Sequence, residues 1–391
     1  MGFIRSERVA AVLLLVAAAA GLIAANTPIG AGLMRLQSLH LAMPGTPLDL
    51  SVGHWVSDGL LALFFFLVAV ELKNEFAVGQ LNSISTAIRP AIAALFGVAV
   101  PALVYLAIIA GAGAGAGFGY GWPVPTATDI AFALGILAVF GKGIPPRLRI
   151  FVLALAIIDD IVAILIIAVF FTASPNLFFI GLAAVGVIAF GLLSRALGTR
   201  ARIPVAALMV AVGLTTWALV YLSGVHATIA GVALGLAMAR IPGMRTRHAL
   251  EPTVNGVVLP LFAFSAALVA IPQVSPAQLS APFWGILVAL PVGKLIGISL
   301  GGWLSGFIGP RERRPHLTLH GLLAAGTLGG VGFTVSLLMN ELAFSRNPEV
   351  TDEGTLAVLL GSSLSIIAAA IVVSTLARYY RRLHGLRLIG Q

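Results

Sequence analysis

Long apolar stretches divided by short polar or glycine- and proline-marked connections recur along the whole chain. Residues 9 to 26, 56 to 73, 89 to 110, 122 to 140, 148 to 172, 177 to 194, 203 to 222, 224 to 240, 252 to 271, 281 to 308, 317 to 341 and 355 to 378 each read as a membrane span. A helix needs about 20 mostly apolar residues to cross a hydrocarbon layer ~30 Å thick. The pattern therefore predicts an all-α membrane protein of about 12 transmembrane helices, with residues 1–391 forming a single polytopic membrane domain. The first stretch follows Arg5 and Arg8 and has no convincing cleavage site before the next loop, so it is read as a retained span.

Composition agrees with the pattern. Of 391 residues, 59% are hydrophobic and 9% charged, and the mean hydropathy is +1.06, values that exclude an ordinary soluble domain. The absence of cysteine excludes disulfides, thiol catalysis and thiolate metal sites. A net charge of +9 would suggest nucleic acid in a soluble protein. Here all but three of the 23 Lys and Arg residues fall in the two tails and the connections on one face; the exceptions are Arg35, Arg346 and Lys294. Basic loops stay inside, which puts both termini in the cytoplasm and accounts for the charge without a nucleic acid partner. The basic tail from Arg378 to Arg387 reads as an anchor at the anionic lipid surface.

Ionisable groups inside the spans change the picture further. Asp159 and Asp160 lie between nine and eleven apolar residues, flanks of about 14 and 16 Å on a helix, so both sit near the centre of the layer. A central Asp costs roughly 2.5–3.5 kcal/mol on the insertion scale, so two adjacent ones require a polar interior. Lys294 is again at mid-span, and a lone intramembrane lysine must find an anion or give up its proton; Asp159 and Asp160 are the nearest candidates by depth. The plainer reading makes these three residues buried ion-pair glue between helices.

Two spans carry breaks. In Trp122-Pro123-Val124-Pro125-Thr126-Ala127-Thr128-Asp129 the prolines keep their neighbours out of helical geometry, so the helix starts at Ile130 with Thr128 or Asp129 as its N-cap. Gly326 to Thr334 contains four glycines in seven residues, which interrupts the eleventh span or lets another helix pack closely. The fourth and eleventh spans are thus discontinuous, each the middle of a trio, over approximately 89–172 and 281–378. Seven intervening spans invert one trio relative to the other, an arrangement that marks a transport site. Gly111 to Gly121 has no Walker lysine and follows no strand, and reads as a flexible connection.

At this point the chain resembles the NhaA family of sodium/proton antiporters. The resemblance is carried by FFFLVAVELK at 64–73, PTATDIAFALG at 125–135, LAIIDD at 155–160, SGVHATIAG at 223–231, LPLFAF at 259–264, GKLIGIS at 293–299 and GFTVS at 332–336, in the family's order over nearly the whole chain. The resemblance implies a secondary transporter, not an enzyme, that exchanges Na⁺ or Li⁺ for H⁺ by alternating access, is electrogenic and responds to pH. Asp160 would be the direct sodium ligand. Asp159 would be a second ligand or the partner of Lys294, while Thr128 and Asp129 stand at the helix crossing. Asp129 would balance the positive helix ends and Lys294 the negative ones. Glu71 and His226 fall where the family places its pH response, although a solvated helix end and a hydrogen-bonded structural histidine explain them equally well. The resemblance also implies a homodimer formed partly through the strand-like stretch from Thr27 to Asp58, membrane lipid as surroundings, and no cofactor.

The chain departs from the family pattern at Arg245 to Pro252, where a Glu- and His-rich run is usual, and at Ser265 to Leu268. Two other readings stay open: a Na⁺-binding channel or regulatory membrane protein, and an intramembrane aspartyl protease. The Gly-x-Gly-Asp signature of such proteases is missing before all three aspartates. Sodium is a hard cation that binds oxygen, and a carboxylate offers its oxygens fully only when deprotonated, so Na⁺ and H⁺ compete for one site.

Overall fold

The structure is a computed structural model, and it describes residues 7–42, 48–79, 81–114, 116–172, 175–197, 202–272, 276–307 and 317–389. Arg5, Arg200, Arg311, Arg313 and Arg314 of the charge count lie outside those residues, as does the end of the tenth expected span at 308. In chain order the elements are α1 (Glu7–Ala25), α2 (Gly30–Ser38), β1 (His40–Ala42), β2 (Asp49–Ser51), α3 (Val52–Val78), α4 (Ile84–Gly111), α5 (Ile130–Phe140) and α6 (Pro146–Phe170). Then come α7 (Leu177–Ala196), α8 (Arg202–Leu222), α9 (Thr228–Ala237), α10 (Arg240–Ala266), α11 (Ala281–Ser305), α12 (Leu319–Gly329), α13 (Phe333–Phe344) and α14 (Pro348–Ile389).

Among the described residues, nine helical stretches are long and apolar enough to cross a membrane, or eleven if two bent pairs each count as one span. The pairs are α1 with α2, bent by 108°, and α12 with α13, bent by 49°. Side chains such as Leu103, Leu165, Val185 and Val210 are left bare on helix surfaces, whereas Asp129, Asp159, Asp160 and Lys294 are buried. That inversion suits a hydrocarbon solvent.

Several boundaries differ from those read in the sequence. Residues 241 to 251, expected as a connection, are helical and continue into α10, because an amphipathic, basic turn needs no apolar surroundings to be a helix. The last helix starts at Pro348, not 355, with Glu349 in its first turn opposite the positive end of the dipole. Residues 116 to 121, expected as a flexible connection, form a 3₁₀ turn, and the buried Tyr105 hydroxyl donates to the Phe118 carbonyl at 2.8 Å. The expected strand-like stretch holds a small antiparallel hairpin of β1 and β2, with Leu41 opposite Leu50.

The chain divides into two compact units. The first comprises residues 13–79 and 164–268 of the described chain. In it α9 lies close on α3: a Cβ added at Gly231 would strike the Ala62 carbonyl, and one at Gly235 would stand 2.5 Å from the Phe66 carbonyl. Trp55 stacks on Trp217 at 5.4 Å, and the Trp217 indole donates to the Asp58 carbonyl at 3.0 Å. The junction of α9 and α10 runs through two extended residues, Met238 and Ala239. Lys73 holds it by donating to the Leu236 and Met238 carbonyls at 2.8 and 2.6 Å.

The second unit comprises residues 7–12, 81–163, 269–307 and 317–389 of the described chain. In it α4 and α11 pack closely, Gly297 and Gly301 bringing one backbone against Phe96 and Ile92 of the other. Pro90 and Pro101 lie inside α4, and α11 is widened into a π turn at Ala289–Gly293 around Pro291, immediately before Lys294.

Candidate ion-binding site

All five residues singled out for ion exchange lie in the second unit and are brought together by its two breaks. The first break follows the 3₁₀ turn Val124–Thr126, after which Ala127 and Asp129 are extended with ψ of 155° and 106°. Asp129 rather than Thr128 is the N-cap of α5, its Oδ1 accepting from the Phe132 N–H at 3.2 Å. The second break is Gly330-Val331-Gly332, between α12 and α13.

The breaks cross and are stitched by hydrogen bonds. The Asp129 N–H donates to the Val331 carbonyl at 2.6 Å. Asp129 Oδ2 accepts from the Thr334 hydroxyl at 2.6 Å and from the Thr334 N–H at 3.3 Å. One carboxylate therefore faces the first turns of both α5 and α13, where unpaired N–H groups and helix dipoles give a positive end. Phe132 and Phe333 pack beside it with ring centres 4.8 Å apart.

The α6 carboxylates approach from the other side. Asp159 Oδ2 accepts from Lys294 Nζ at 2.5 Å and from the Thr128 hydroxyl at 2.6 Å. Thr128 also contacts the Gly329 carbonyl at 2.8 Å, and its hydroxyl has one proton for two acceptors, so it serves one at a time. Asp159 is 1% exposed, Lys294 0%, Thr128 1% and Asp160 3%, and no bulk water screens their charges. Asp159 Oδ1 has no hydrogen-bond partner among the described residues. The oxygens gathered here, from Asp159, Thr128 and the Gly329 carbonyl, are hard donors of the kind a small cation takes.

The remaining two candidates lie in the first unit. Glu71 on α3 accepts from Arg247 at 2.9 Å, and Arg247 also reaches Glu251 at 3.6 Å. His226 follows the tight turn at Gly224, whose φ of +75° favours glycine. Its Nε2 is 3.4 Å from Asp58 and its Nδ1 is 2.9 Å from the Thr228 hydroxyl. Burial pushes the imidazole below its usual range, and Asp58 pulls the other way. Asp58 and Glu71 are separated by 13 positions along α3, roughly 20 Å, so these pairs occupy opposite ends of one helix.

The sequence alone gave no role to Thr334, Arg247 or Asp58. Thr334 belonged to a quoted motif, and a hydroxyl in a helix's first turn is a capping signal; the others meet their partners across long sequence separations that periodicity does not report.

Fold and site define a class: multi-pass integral membrane proteins in which two broken helices cross beside buried carboxylates. The model of the family described as Na⁺/H⁺ antiporter 1 matches residues 1–373. A protein of Clavibacter michiganensis subsp. michiganensis named Na(+)/H(+) antiporter NhaA 2 is 58% identical over 384 residues, covering 97% of this chain and 93% of its own. Na(+)/H(+) antiporter NhaA of Tropheryma whipplei is 44% identical over 381 residues and 95% of each chain. The protein of the same name from Thermobifida fusca is 42% identical over 396 residues, covering 97% and 94%. The chain belongs to the Na⁺/H⁺ antiporter 1 family.

Proposed function

We propose that this chain exchanges Na⁺ for H⁺ by alternating access and that Asp159 and Asp160 carry the exchanged ions. The observation that supports the assignment is the buried Asp159 carboxylate: one oxygen is bonded to Lys294 and Thr128, and the other faces no partner among the described residues. Na⁺ displaces the ammonium and recruits Asp160 and Thr128 oxygens; protons on the carboxylates expel it. Turning the site only when it is loaded by Na⁺ or by H⁺ makes the exchange obligatory. Electrogenic exchange needs a second proton carrier, and Asp159 with Lys294 fills that role. Asp129 bonds the first turns of two helices and so supports the site.

In this reading the short apolar α9 is the remaining span, which brings the count from eleven to twelve. The inverted trios are 89–172 and 281–378, the broken helices are their middle members, and both termini are cytoplasmic in a bacterial inner membrane. Glu71 with Arg247 and His226 with Asp58 form the pH response, and the β1–β2 hairpin contributes to a homodimer. Everted vesicles carrying the protein, given Na⁺ or Li⁺ while a dye follows the proton gradient, should show dequenching, and Asp160→Asn should reduce it at least a hundredfold with protein yield unchanged. No dequenching in wild type anywhere between pH 6 and 9 leaves the Na⁺ channel or regulatory reading. Wild-type rates in Asp160→Asn refute the residue assignment.

A further inference from the structure

The start of α13 lacks a cap of its own. The residue at its cap position is Gly332, which has no side chain to accept an N–H. The first N–H groups of a helix have no partner within it, and inside a protein they must find one elsewhere. Phe333 donates to the hydroxyl of Ser362, a 0% exposed residue of α14, at 3.2 Å. Thr334 donates to Asp129. The two helices run antiparallel at this level: Asn340 donates to the Thr355 hydroxyl and Phe333 to that of Ser362, while a Cβ at Gly330 would stand 2.7 Å from that of Ser365.

We infer that Ser362 is the N-cap of the second broken helix, supplied in trans by α14, and that it is a positioning residue for ion binding. The first turn of α13 is tied to Asp129 through Thr334, and Asp129 is tied back to Val331. Where that turn stands fixes where Thr128, next to Asp129, meets Asp159 and the Gly329 carbonyl. Ser362 touches no ion and acts through this chain of contacts. The link to ion binding rests on the exchange proposed above; the cap itself does not. Ser365 supplies an internal control, being three residues on along the same helix, 2% exposed, with a hydroxyl that has no hydrogen-bond partner among the described residues.

The full-length protein is compared as wild type, Ser362→Ala, Ser362→Thr and Ser365→Ala, by amide hydrogen exchange of the segment containing Phe333 and Thr334 and by KM for Na⁺ in liposomes. Ser362→Ala should speed amide exchange there by roughly two- to thirtyfold, the range that loss of an N-cap gives. It should raise KM several-fold with the maximal rate within about twofold, as expected when a site is misplaced without losing its reacting groups. Ser362→Thr and Ser365→Ala should match wild type. Unchanged amide exchange in Ser362→Ala, or an equal change in Ser365→Ala, overturns the cap. Faster amide exchange with unchanged KM overturns the positioning role. If the wild type transports no Na⁺, the exchange reading has failed, and amide exchange alone decides the cap. Where Ser362→Ala yields too little protein, Ser362→Cys, which keeps the volume and weakens the acceptor, is read in the same way.

Discussion

Lys294 and Asp159 are charges of opposite sign with no measurable access to water, and each is the other's closest counter-ion. Removing one partner of such a pair leaves an uncompensated buried charge, at a cost of about 3–5 kcal/mol. Lys294→Ala should therefore lower the melting temperature of the detergent-purified protein substantially, and adding Asp159→Asn should recover most of the loss. Equal melting temperatures for the single and double variants would show that the two residues are not an energetic unit. The lysine and the two aspartates within its reach were legible in the sequence because charge inside an apolar run has few explanations; that Asp159 is the partner is a matter of contact. Which oxygen of Asp159 takes the lysine, and that Thr128 shares it, was not, since both depend on contacts across 135 and 31 residues of sequence.

At the scale of elements, close backbone approach recurs in both units. On α9, Gly231 faces the Ala62 carbonyl so closely that any side chain collides with backbone rather than with a flexible side chain. Gly231→Leu should separate α9 from α3 and destabilise the protein by roughly 1–3 kcal/mol, as overpacking does; a melting temperature within error of wild type would contradict the contact. The broken fourth and eleventh spans could be read in advance because proline and clustered glycine act locally on the backbone, and Asp129 was one of two residues named for the cap. The helical start of α10 was missed for the opposite reason. Arg240 to Glu251 is polar, and hydropathy detects the solvent around a helix and not its hydrogen bonds; Arg247 is held there by Glu71, 176 residues earlier.

For the molecule as a whole, stability against pH has one readable contribution outside the spans. Burial lowers the His226 pKa in the folded chain below its unfolded value near 6.5. The unfolded state thus binds the proton more readily, so this contribution is fully present above about pH 6.5 and is lost as pH falls toward the folded value. His54, Asp49 and Tyr221 share that end of the first unit, and Asp58 offsets part of the effect. His226→Gln should lessen the drop in melting temperature between pH 7.5 and 5.5; an unchanged drop would assign acid sensitivity elsewhere. Within the second unit, a single carboxylate serves two helices that lie some 200 positions apart in the chain. A change at position 129 therefore acts on the start of α13 as well as on that of α5.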